Sequence, residues 1–286
     1  MSKVFVIGSI NMDVIATIPH HPQVGETIMG DSLTYAPGGK GFNQAIAASR
    51  AGATTIMVGK VGNDGFGKTL IDFAKSENLA TENIGTSQTQ PTGTAFITVA
   101  KGDNIIVVIA GANDDVQPQD LSDITFQEND IVVCTLELPQ ATVKETFKKA
   151  KQAKAKTIFN AAPAAPCDDI LALTDILIVN ETEAEMLAEA ITASNIPTVI
   201  QTLGEKGLKA TTPQGEITLS GHQVECTDTT GAGDCFTGNL AARLAQQDTF
   251  EQALTYANAA AACAVTQLGA APSMPTPDNV TKRLKG

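Results

Sequence analysis

The stretch TDTTGAGDCFTG, residues 227–238, joins a glycine-rich turn to a carboxylate at the start of a predicted helix. Glycines at 231 and 233 allow a tight turn whose backbone amides converge on one point, at the positive end of the helix dipole. Such a turn binds anions. We therefore predict an anion hole formed by Gly231, Ala232 and Gly233. The preceding residues HQVEC (222–226) are predicted to form a strand that leads into the turn.

Asp234 follows directly in the first turn of that helix. The helix dipole favours an ionised carboxylate there by about 0.3 to 1 kcal/mol. Beside a phosphate site, this carboxylate could take the proton of an attacking hydroxyl group, as a general base does. It could equally be an ordinary helix cap. The loop alone leaves both interpretations open.

A second glycine-rich stretch competes for the role of phosphate loop. Residues 62–69, GNDGFGKT, satisfy the Walker A pattern G-x-x-x-x-G-K-[ST]. A P-loop NTPase also needs a strand that ends in a metal-binding aspartate, whereas the best apolar runs of this chain end in glutamate or asparagine. We expect Asp64 to help turn the chain into the next helix, and Lys68 to lie outside the phosphate site.

Polar residues follow one apolar run after another along the chain. They are Asn11, Asp13, Glu137, Asn160, Asn180, Thr202 and Gly204. In an open parallel sheet the carboxyl ends of the strands form the ligand crevice. Any single one of these residues could instead cap a helix or make a local turn. Asn11 and Asp13 are two residues apart and so share one face of an extended segment.

The elements that must position these residues are short apolar runs alternating with helical patterns. Runs such as VFVIGSI, TTIMVGKV, DIVVCTLE, KTIFNAAP, DILIVNE and TVIQTLG are typical of strands buried on both faces. This rhythm predicts an α/β fold, a doubly wound and mostly parallel sheet flanked by helices, in a single domain over residues 1–286. Segments 11–37 and 91–109 lack helical periodicity, and we predict that they pair into a small β-sheet that acts as a lid.

Composition restricts the partners and the compartment. The chain has 286 residues, 43% of them hydrophobic, so it can bury a large core. Its 31 acidic residues outnumber its 19 basic ones, which argues against nucleic acid or an anionic membrane as a partner. Five cysteines without paired spacing, and no apolar stretch of membrane-spanning length, favour the cytoplasm.

Several motifs together carry a family resemblance. In chain order they are GSINMD (8–13), PQVGET (22–27), GGKGFNQAIAASRAG (38–52), AGAND (110–114), NAAP, NETEAE, DTTGAGDCFTG and AAAACAVTQLGAAPS (259–273). The chain is similar, nearly from end to end, to the ribokinase-like family of carbohydrate kinases. That resemblance implies an α/β domain with a sheet lid that closes over a sugar and often forms a dimer contact.

The resemblance also implies an ATP-dependent kinase with Asp234 as its general base. The residues implied to bind the sugar are Asn11, Asp13, Gly39, Lys40, Gly41, Asn43, Glu137 and Asp234. The residues implied to bind ATP are Asn180, Thr202, Gly204, Gly207, Gly233 and Asn258. Magnesium is implied to be tied indirectly to Asn180 and Glu183.

A monovalent cation, K⁺, is further implied as an activator that stiffens the anion-hole loop. Its implied ligands are Asp228, Thr230, Ala264, Gln267, Gly269 and Ser273. The favoured reaction is phosphorylation of the primary hydroxyl of a pentose, with D-ribose as the first candidate. The enzyme is expected to be a homodimer joined through the lid. Another sugar or a nucleoside as acceptor, a P-loop NTPase and a non-catalytic sugar sensor remain as alternatives.

Two positions depart from the family pattern. Phe42 stands inside the GGKGxN motif where a small residue is common, and it either narrows the sugar pocket or belongs to the core; we favour the core. Segment 186–197 is shorter than usual and leaves room for one short helix between two strands.

Overall fold

The computed structural model describes residues 2–101 and 103–285. Its strands are β1 Val4–Ile7, β2 Asn11–Thr17, β3 Ser32–Gly38, β4 Thr55–Gly62, β5 Ile84–Ser87, β6 Gly93–Ala100, β7 Asp103–Ile109, β8 Ile131–Thr135, β9 Lys156–Asn160, β10 Ile176–Asn180, β11 Thr198–Thr202, β12 Gly207–Thr212 and β13 Gly215–Ser220. Its α-helices are α1 Lys40–Arg50, α2 Gly65–Ser76, α3 Gln140–Gln152, α4 Asp168–Leu171, α5 Glu181–Met186, α6 Ala188–Ser194, α7 Ala232–Ala245, α8 Phe250–Ala264 and α9 Pro277–Lys285.

The central sheet has nine strands in the order β13-β12-β11-β10-β9-β8-β1-β4-β5. The strands from β11 to β5 run parallel, and β12 and β13 add an antiparallel hairpin at one edge. On β1, Val4 and Val6 enter one hydrophobic cluster while Phe5 and Ile7 enter another. Helices α1, α7 and α8 cover the first cluster, and α3 and α4 cover the second. The predicted doubly wound sheet is confirmed.

A separate small sheet contains β3, β2, β6 and β7 in that order. Strand β2 pairs antiparallel with β3 and parallel with β6, and this register sets Asp13 opposite Ala36 on one side and Ala95 on the other. The small sheet that the sequence predicts is therefore present. Its action as a lid stays a prediction.

Residues 222–226, predicted as a strand, join neither sheet in the described chain. The chain beyond them is fixed by a helix end instead, because the amides of Thr227 and Asp228 donate to the carbonyl oxygen of Val265, at 2.8 and 3.1 Å. That prediction was wrong, since an alternating pattern specifies a strand only where a neighbouring strand is available.

The short crossover between β10 and β11 also differs from the expectation of one helix. It contains two short helices, α5 and α6, which meet at Leu187. Leu187 is buried in the same hydrophobic cluster as α3 and α4. In the part of the chain that the structure describes, none of the helices has the length and hydropathy needed to span a bilayer.

Glycines bring α1 against the first strand of the sheet. The Cα atoms of Gly8 and Gly41 lie so close that a Cβ added at Gly8 would come within 2.6 Å of Gly41. Phe42 then points into the core, where it is fully buried with its ring centroid 6.1 Å from that of Phe73. Phe42 is therefore a core residue, as favoured from the sequence, and does not narrow a pocket.

The Walker-like stretch forms the turn between β4 and α2. The Asp64 carboxylate accepts hydrogen bonds from the amides of Gly67 and Thr92, both at 2.8 Å, and so caps α2. Lys68 is 80% exposed and pairs with Asp72 one turn along the same helix, with 2.6 Å between Nζ and Oδ2. The glycines of this stretch serve a strand-to-helix turn, and its lysine faces solvent.

We expect Lys68→Ala to leave the dissociation constant for ATP within about twofold of wild type, because the lysine contacts only a neighbouring surface carboxylate. Isothermal titration calorimetry with a non-hydrolysable ATP analogue measures this directly. Asn180→Ala, at a residue implied to bind ATP, serves as the contrasting variant. Loss of ATP binding in Lys68→Ala would restore the Walker interpretation.

Candidate active site

Asp234 lies buried at the third position of α7. Gly231 adopts a left-handed conformation, with φ of 76°, and so turns the chain into the helix. The two carboxylate oxygens of Asp234 accept hydrogen bonds from α1: Oδ2 from Asn43 Nδ2 and Oδ1 from Gln44 Nε2, both at 2.9 Å. Neither oxygen bonds to the backbone of α7, so the interpretation of Asp234 as an ordinary helix cap is wrong.

The start of α1 is held by Glu137, which follows β8. Its Oε2 accepts from the Ser9 hydroxyl at 2.5 Å and from the Lys40 amide at 3.0 Å. Gly39 precedes the helix with φ of 91°, and a Cβ there would lie 2.8 Å from the Asn11 amide nitrogen. The glycine cluster thus lets α1 begin directly above the strand end that carries Asn11.

Asn11 and Asp13 lie on the same face of β2, and Asp13 is close enough to Glu137 and Asp234 to be affected by their charges. Asn11 Oδ1 accepts from Asn113 Nδ2 at 2.7 Å, which leaves the Asn11 amide group free to donate elsewhere. The Asp13 carboxylate packs over the Cα of Gly38, where any side chain would collide with it. Both residues are buried, as expected of groups that share one face of the strand.

Neighbouring charges in this region shift the pKa values of Asp13 and Lys40. Burial, followed by the nearby charges of Glu137 and Asp234, raises the pKa of Asp13 from 3.8 to about 7. The charge of Asp234 raises the pKa of Lys40 against the opposing effect of burial, with smaller contributions from Glu137 and Glu183. Lys40 therefore lies among several carboxylates, and its positive charge offsets their mutual repulsion.

A cavity of about 200 Å³ opens at the carboxyl edge of the sheet, beside Asp234. Predicted site residues that line it are Lys40, Asn180, Glu183, Thr202, Gly231, Ala232, Gly233 and Asp234. Asn160 and Thr229 complete its polar wall. The predicted anion hole, the candidate base and the ends of β10 and β11 are thus brought together.

A second cavity of about 420 Å³ adjoins the first and shares Thr229 and Ala232 with it. It is more apolar, and its lining includes Val224, Val265 and Asn258. Gly204 also lines it, in line with the prediction for this residue.

Gly207 does not line either of these two cavities. It begins β12 with φ of 99°, where a side chain would collide with the carbonyl oxygen of Leu219. The hairpin geometry alone requires glycine at this position.

Asn180 and Glu183 form a reciprocal helix cap at the start of α5. The Asn180 amide donates to Glu183 Oε2 at 2.9 Å, and the Glu183 amide donates to Asn180 Oδ1 at 2.8 Å. No cluster of three or more acidic, histidine or cysteine side chains suited to a metal occurs in residues 2–101 and 103–285. A divalent ion would fit here as Mg²⁺ is usually held, by one or two side-chain oxygens together with substrate phosphates and water.

Asp228 ties the anion-hole loop to the turn after α8. Its Oδ1 accepts from the amide and hydroxyl of Thr230, at 2.9 and 2.6 Å, and its Oδ2 accepts from the amide of Gly269 at 2.9 Å. Burial opposes ionisation, but the hydrogen bonds from Thr230 and Gly269 lower the pKa of Asp228 below its usual range. An ionised carboxylate at this loop is a negative charge that would suit a monovalent cation.

The other predicted ligands of that cation lie along the same turn. Ala264 ends α8, and its carbonyl oxygen accepts from the amide of Gln267 at 3.1 Å. The hydroxyl of Ser273 donates to the carbonyl oxygen of Ala270 at 2.8 Å. Asp228 contacts both Thr230 and Gly269, and the remaining three residues lie within six positions of Gly269 in sequence.

Three residues that hold the site together escaped the sequence analysis as site residues: Ser9, Gln44 and Asn113. Each is a polar side chain with at most 1% of its surface exposed. Their signal in the sequence is weak, because a polar residue within an apolar stretch indicates burial only when its partners are known.

Burial of a fixed carboxylate beside an amide-rich turn suits the transfer of a phosphoryl group to a small polar acceptor, the chemistry of a small-molecule kinase. The chain belongs to the pfkB family of carbohydrate kinases, whose model matches residues 1–277. Ribokinase of Bacillus subtilis is 37% identical to it over 99% of this chain and 100% of that protein.

Solved structures agree with this assignment. The chain superimposes on ribokinase from Thermotoga maritima with a TM-score of 0.92 at 30% identity, covering 100% of both chains. Arabidopsis thaliana ribokinase complexed with ribose and ATP matches with a TM-score of 0.88 at 29% identity, again over 100% of both chains.

The raised pKa of Asp13 predicts a pH-dependent stability difference between wild type and Asp13→Asn. Between pH 4 and 7 the folded protein keeps a proton that the unfolded chain has lost, so the free energy of unfolding falls as pH rises. Relative to the variant, wild type should lose about 2 kcal/mol between pH 5.5 and 8.5, from about 1.36 kcal/mol per pKa unit.

Urea unfolding at pH 5.5 and 8.5 measures the difference without approaching the isoelectric point of about 4.6. Asp31→Asn, at an exposed position, controls for loss of one surface charge. An Asp13→Asn difference that does not change with pH would contradict the raised pKa.

Proposed function

We propose that the protein transfers the γ-phosphoryl group of ATP to the primary hydroxyl of D-ribose. The observation that carries the proposal is the buried Asp234 carboxylate, held by two side-chain amides beside the amides of the GAGD turn. Two curated ribokinases, from Bacillus subtilis and Haemophilus influenzae, are 37% identical to this chain over nearly its whole length. A relative of known structure carries ribose and ATP.

Sugar hydroxyls are recognised between the two sheets in this proposal. Asn11 and Asp13 reach them from β2, and Lys40 and Asn43 reach them from α1. Support comes from the free amide group of Asn11 and from the unpartnered, buried oxygen of Asn43, which accepts no hydrogen bond from any described protein group. A sugar hydroxyl would satisfy that oxygen, and buried polar atoms rarely stay without a partner.

Chemistry then proceeds at Asp234. The primary hydroxyl gives its proton to the carboxylate as its oxygen bonds to the γ-phosphorus, and the bond from that phosphorus to the β,γ-bridging oxygen breaks to release ADP. Amides of the turn at Gly231, Ala232 and Gly233 would stabilise the charge that builds up on the phosphoryl oxygens. For Ala232 this requires the amide to leave the Thr229 carbonyl oxygen, to which it donates at 3.2 Å. The small sheet acts as a lid that keeps water from the reacting phosphorus.

The nucleotide would extend from the smaller cavity into the larger, more apolar one, past Thr202 and Gly204 towards Asn258. Asn180 and Glu183 would hold Mg²⁺ indirectly, which when bound neutralises charge on the phosphates. The Asp228 loop and the turn 264–273 would hold K⁺, which when bound stiffens the anion hole. Ionised Asp228, tied to Thr230 and Gly269, supports this assignment.

We further propose a homodimer joined through the small sheet. One face of that sheet carries an apolar row in which Val14 pairs with Tyr35 and Phe96, and Phe96 pairs with Val107. Val14 packs against the core and Tyr35 against Phe66, whereas the Phe96 and Val107 end of the row is open. Three of these side chains are about half exposed: Tyr35 at 54%, Phe96 at 51% and Val107 at 53%. Contiguous exposed apolar side chains of this size indicate an interaction surface.

The five free cysteines suit a reducing compartment such as the cytoplasm.

Asp234→Asn should retain the fold and lose about 10²- to 10⁴-fold in turnover number, the contribution typical of a positioned base. A coupled assay for ADP with D-ribose, other pentoses, hexoses and nucleosides, in K⁺ and in Na⁺, measures wild type and variant side by side. We expect D-ribose to give the highest kcat/KM, and K⁺ to raise it. No turnover of any sugar by wild type would refute the proposal.

Val107→Asp should convert the dimer into monomers, because it sets a charge within the apolar row. Sedimentation velocity at micromolar concentration distinguishes the two species. Leu284→Asp, at an exposed apolar position on α9, is the matched control and should leave the mass unchanged. A monomeric wild type would contradict the dimer proposal without affecting the kinase proposal.

A further inference from the structure

Gln44 connects the candidate base to the central sheet. Its side chain is fully buried on α1, and its Nε2 donates both hydrogens, one to Asp234 Oδ1 at 2.9 Å and one to Asn160 Oδ1 at 3.1 Å. Asn160 ends β9 and in turn donates through Nδ2 to the carbonyl oxygen of Ile178 on β10, at 3.3 Å. A chain of hydrogen bonds therefore runs from the sheet backbone to the carboxylate.

The orientation of the two amide groups in this series of hydrogen bonds is fixed by the acceptors at its two ends. The Ile178 carbonyl can only accept, so Asn160 must turn its amide nitrogen towards it and its oxygen towards Gln44. Gln44 must then present its nitrogen to Asn160, which also directs a hydrogen towards Asp234. Flipping both amides would set oxygen against oxygen at Ile178. Both hydrogens of Gln44 Nε2 are thus used, one by Asp234 Oδ1 and one by Asn160 Oδ1.

Packing does not explain the choice of glutamine at this position. The second amide atom, Gln44 Oε1, is buried and accepts no hydrogen bond from the described protein groups. An unpaired buried carbonyl is unfavourable for folding, and an apolar side chain of similar length would avoid that cost. The amide is therefore explained by its nitrogen, which donates to Asp234 Oδ1 and Asn160 Oδ1.

We infer that Gln44 is a positioning residue, which fixes the plane of the Asp234 carboxylate by occupying one lone pair of Oδ1 and so directs a remaining lone pair at the sugar hydroxyl. This inference rests on the proposed kinase reaction. Asn43 holds Oδ2 in the same way but is also expected to contact the sugar, whereas Gln44 acts through Asp234 alone. A carboxylate has about four acceptor sites, so two stay free for the substrate.

The other ionisable groups around Asp234 are the same in every variant that is compared. They are Lys40 on α1, Asp13 on β2, Glu137 after β8, Glu183 on α5 and the Cys235 thiol on α7. A change in pH dependence that appears only when Gln44 is replaced therefore originates at this position.

The first test is Gln44→Met, which keeps the length and removes both donors. We expect kcat for ribose to fall about 10- to 100-fold, the scale on which small misplacement of a reacting group acts. The dissociation constants for ribose and for an ATP analogue should stay within about threefold. The midpoint of thermal unfolding should fall, because buried Asp234 Oδ1 loses a donor. Unchanged kcat in a folded Gln44→Met would overturn the inference.

The second test is Gln44→Glu, which sets a carboxyl group against two acceptors. The acid limb of the kcat profile should move to higher pH by about one unit or more, because a neighbouring like charge favours protonation of Asp234. This variant carries the test if Gln44→Met fails to fold. An unshifted acid limb would overturn the inference.

Asn239→Leu is the matched control. Asn239 is a buried amide on α7, also with an unpaired oxygen, but its nitrogen bonds the Cys235 carbonyl oxygen within its own helix. Its replacement should leave kcat and the acid limb unchanged, and an equal loss in this variant would mean that packing alone explains Gln44. If wild type fails to phosphorylate any sugar, the proposed function fails first. An active wild type alongside a fully active Gln44→Met isolates the failure to this inference.

Discussion

Burial of the Asp234 carboxylate constrains how helix α1 packs against α7 and β1. A charge removed from water is stable only when fixed donors replace the water, and here the donors are Asn43 and Gln44 on α1. Helix α1 must therefore lie unusually close to α7, and Gly238 permits this, since a side chain there would collide with the Gln44 carbonyl oxygen. The same helix must start above β1, which the contact between Gly8 and Gly41 allows.

Much of this architecture was predictable because its signals are local. Uncharged apolar runs predict strands buried on both faces, and the alternation with helices predicts their parallel order. The GAGD turn was predictable from two glycines and one carboxylate, and Asp64 from its place before a helix. The predicted strand at 222–226 failed for a physical reason. The segment has the residue pattern of a strand, but it pairs with no neighbouring strand among the described residues. The chain after it passes the end of α8, where the carbonyl oxygen of Val265 accepts its hydrogen bonds.

What the sequence could not predict are contacts between distant parts of the chain. Gln44 and Asp234 are 190 positions apart, and Ser9 and Glu137 are 128 apart. Nothing local in α1 distinguishes Gln44 from a surface glutamine, because the helix is buried nearly all round by α7 and the sheet. The raised pKa of Asp13 likewise depends on Glu137 and Asp234, which belong to separate elements. Geometry of this kind is defined only when the whole fold has formed.

The small sheet is a single layer, and β2 uses both of its faces. Asp13 faces Asp234 and Glu137, while its neighbour Val14 lies in the row with Tyr35 and Phe96 on the opposite face. In the residues that the structure describes, only the backbone of β2 separates these two faces. A tilt of β2 would therefore displace both faces together. In the proposed dimer, such a movement in one subunit would reach the contacts made by the other, which would couple the two sites.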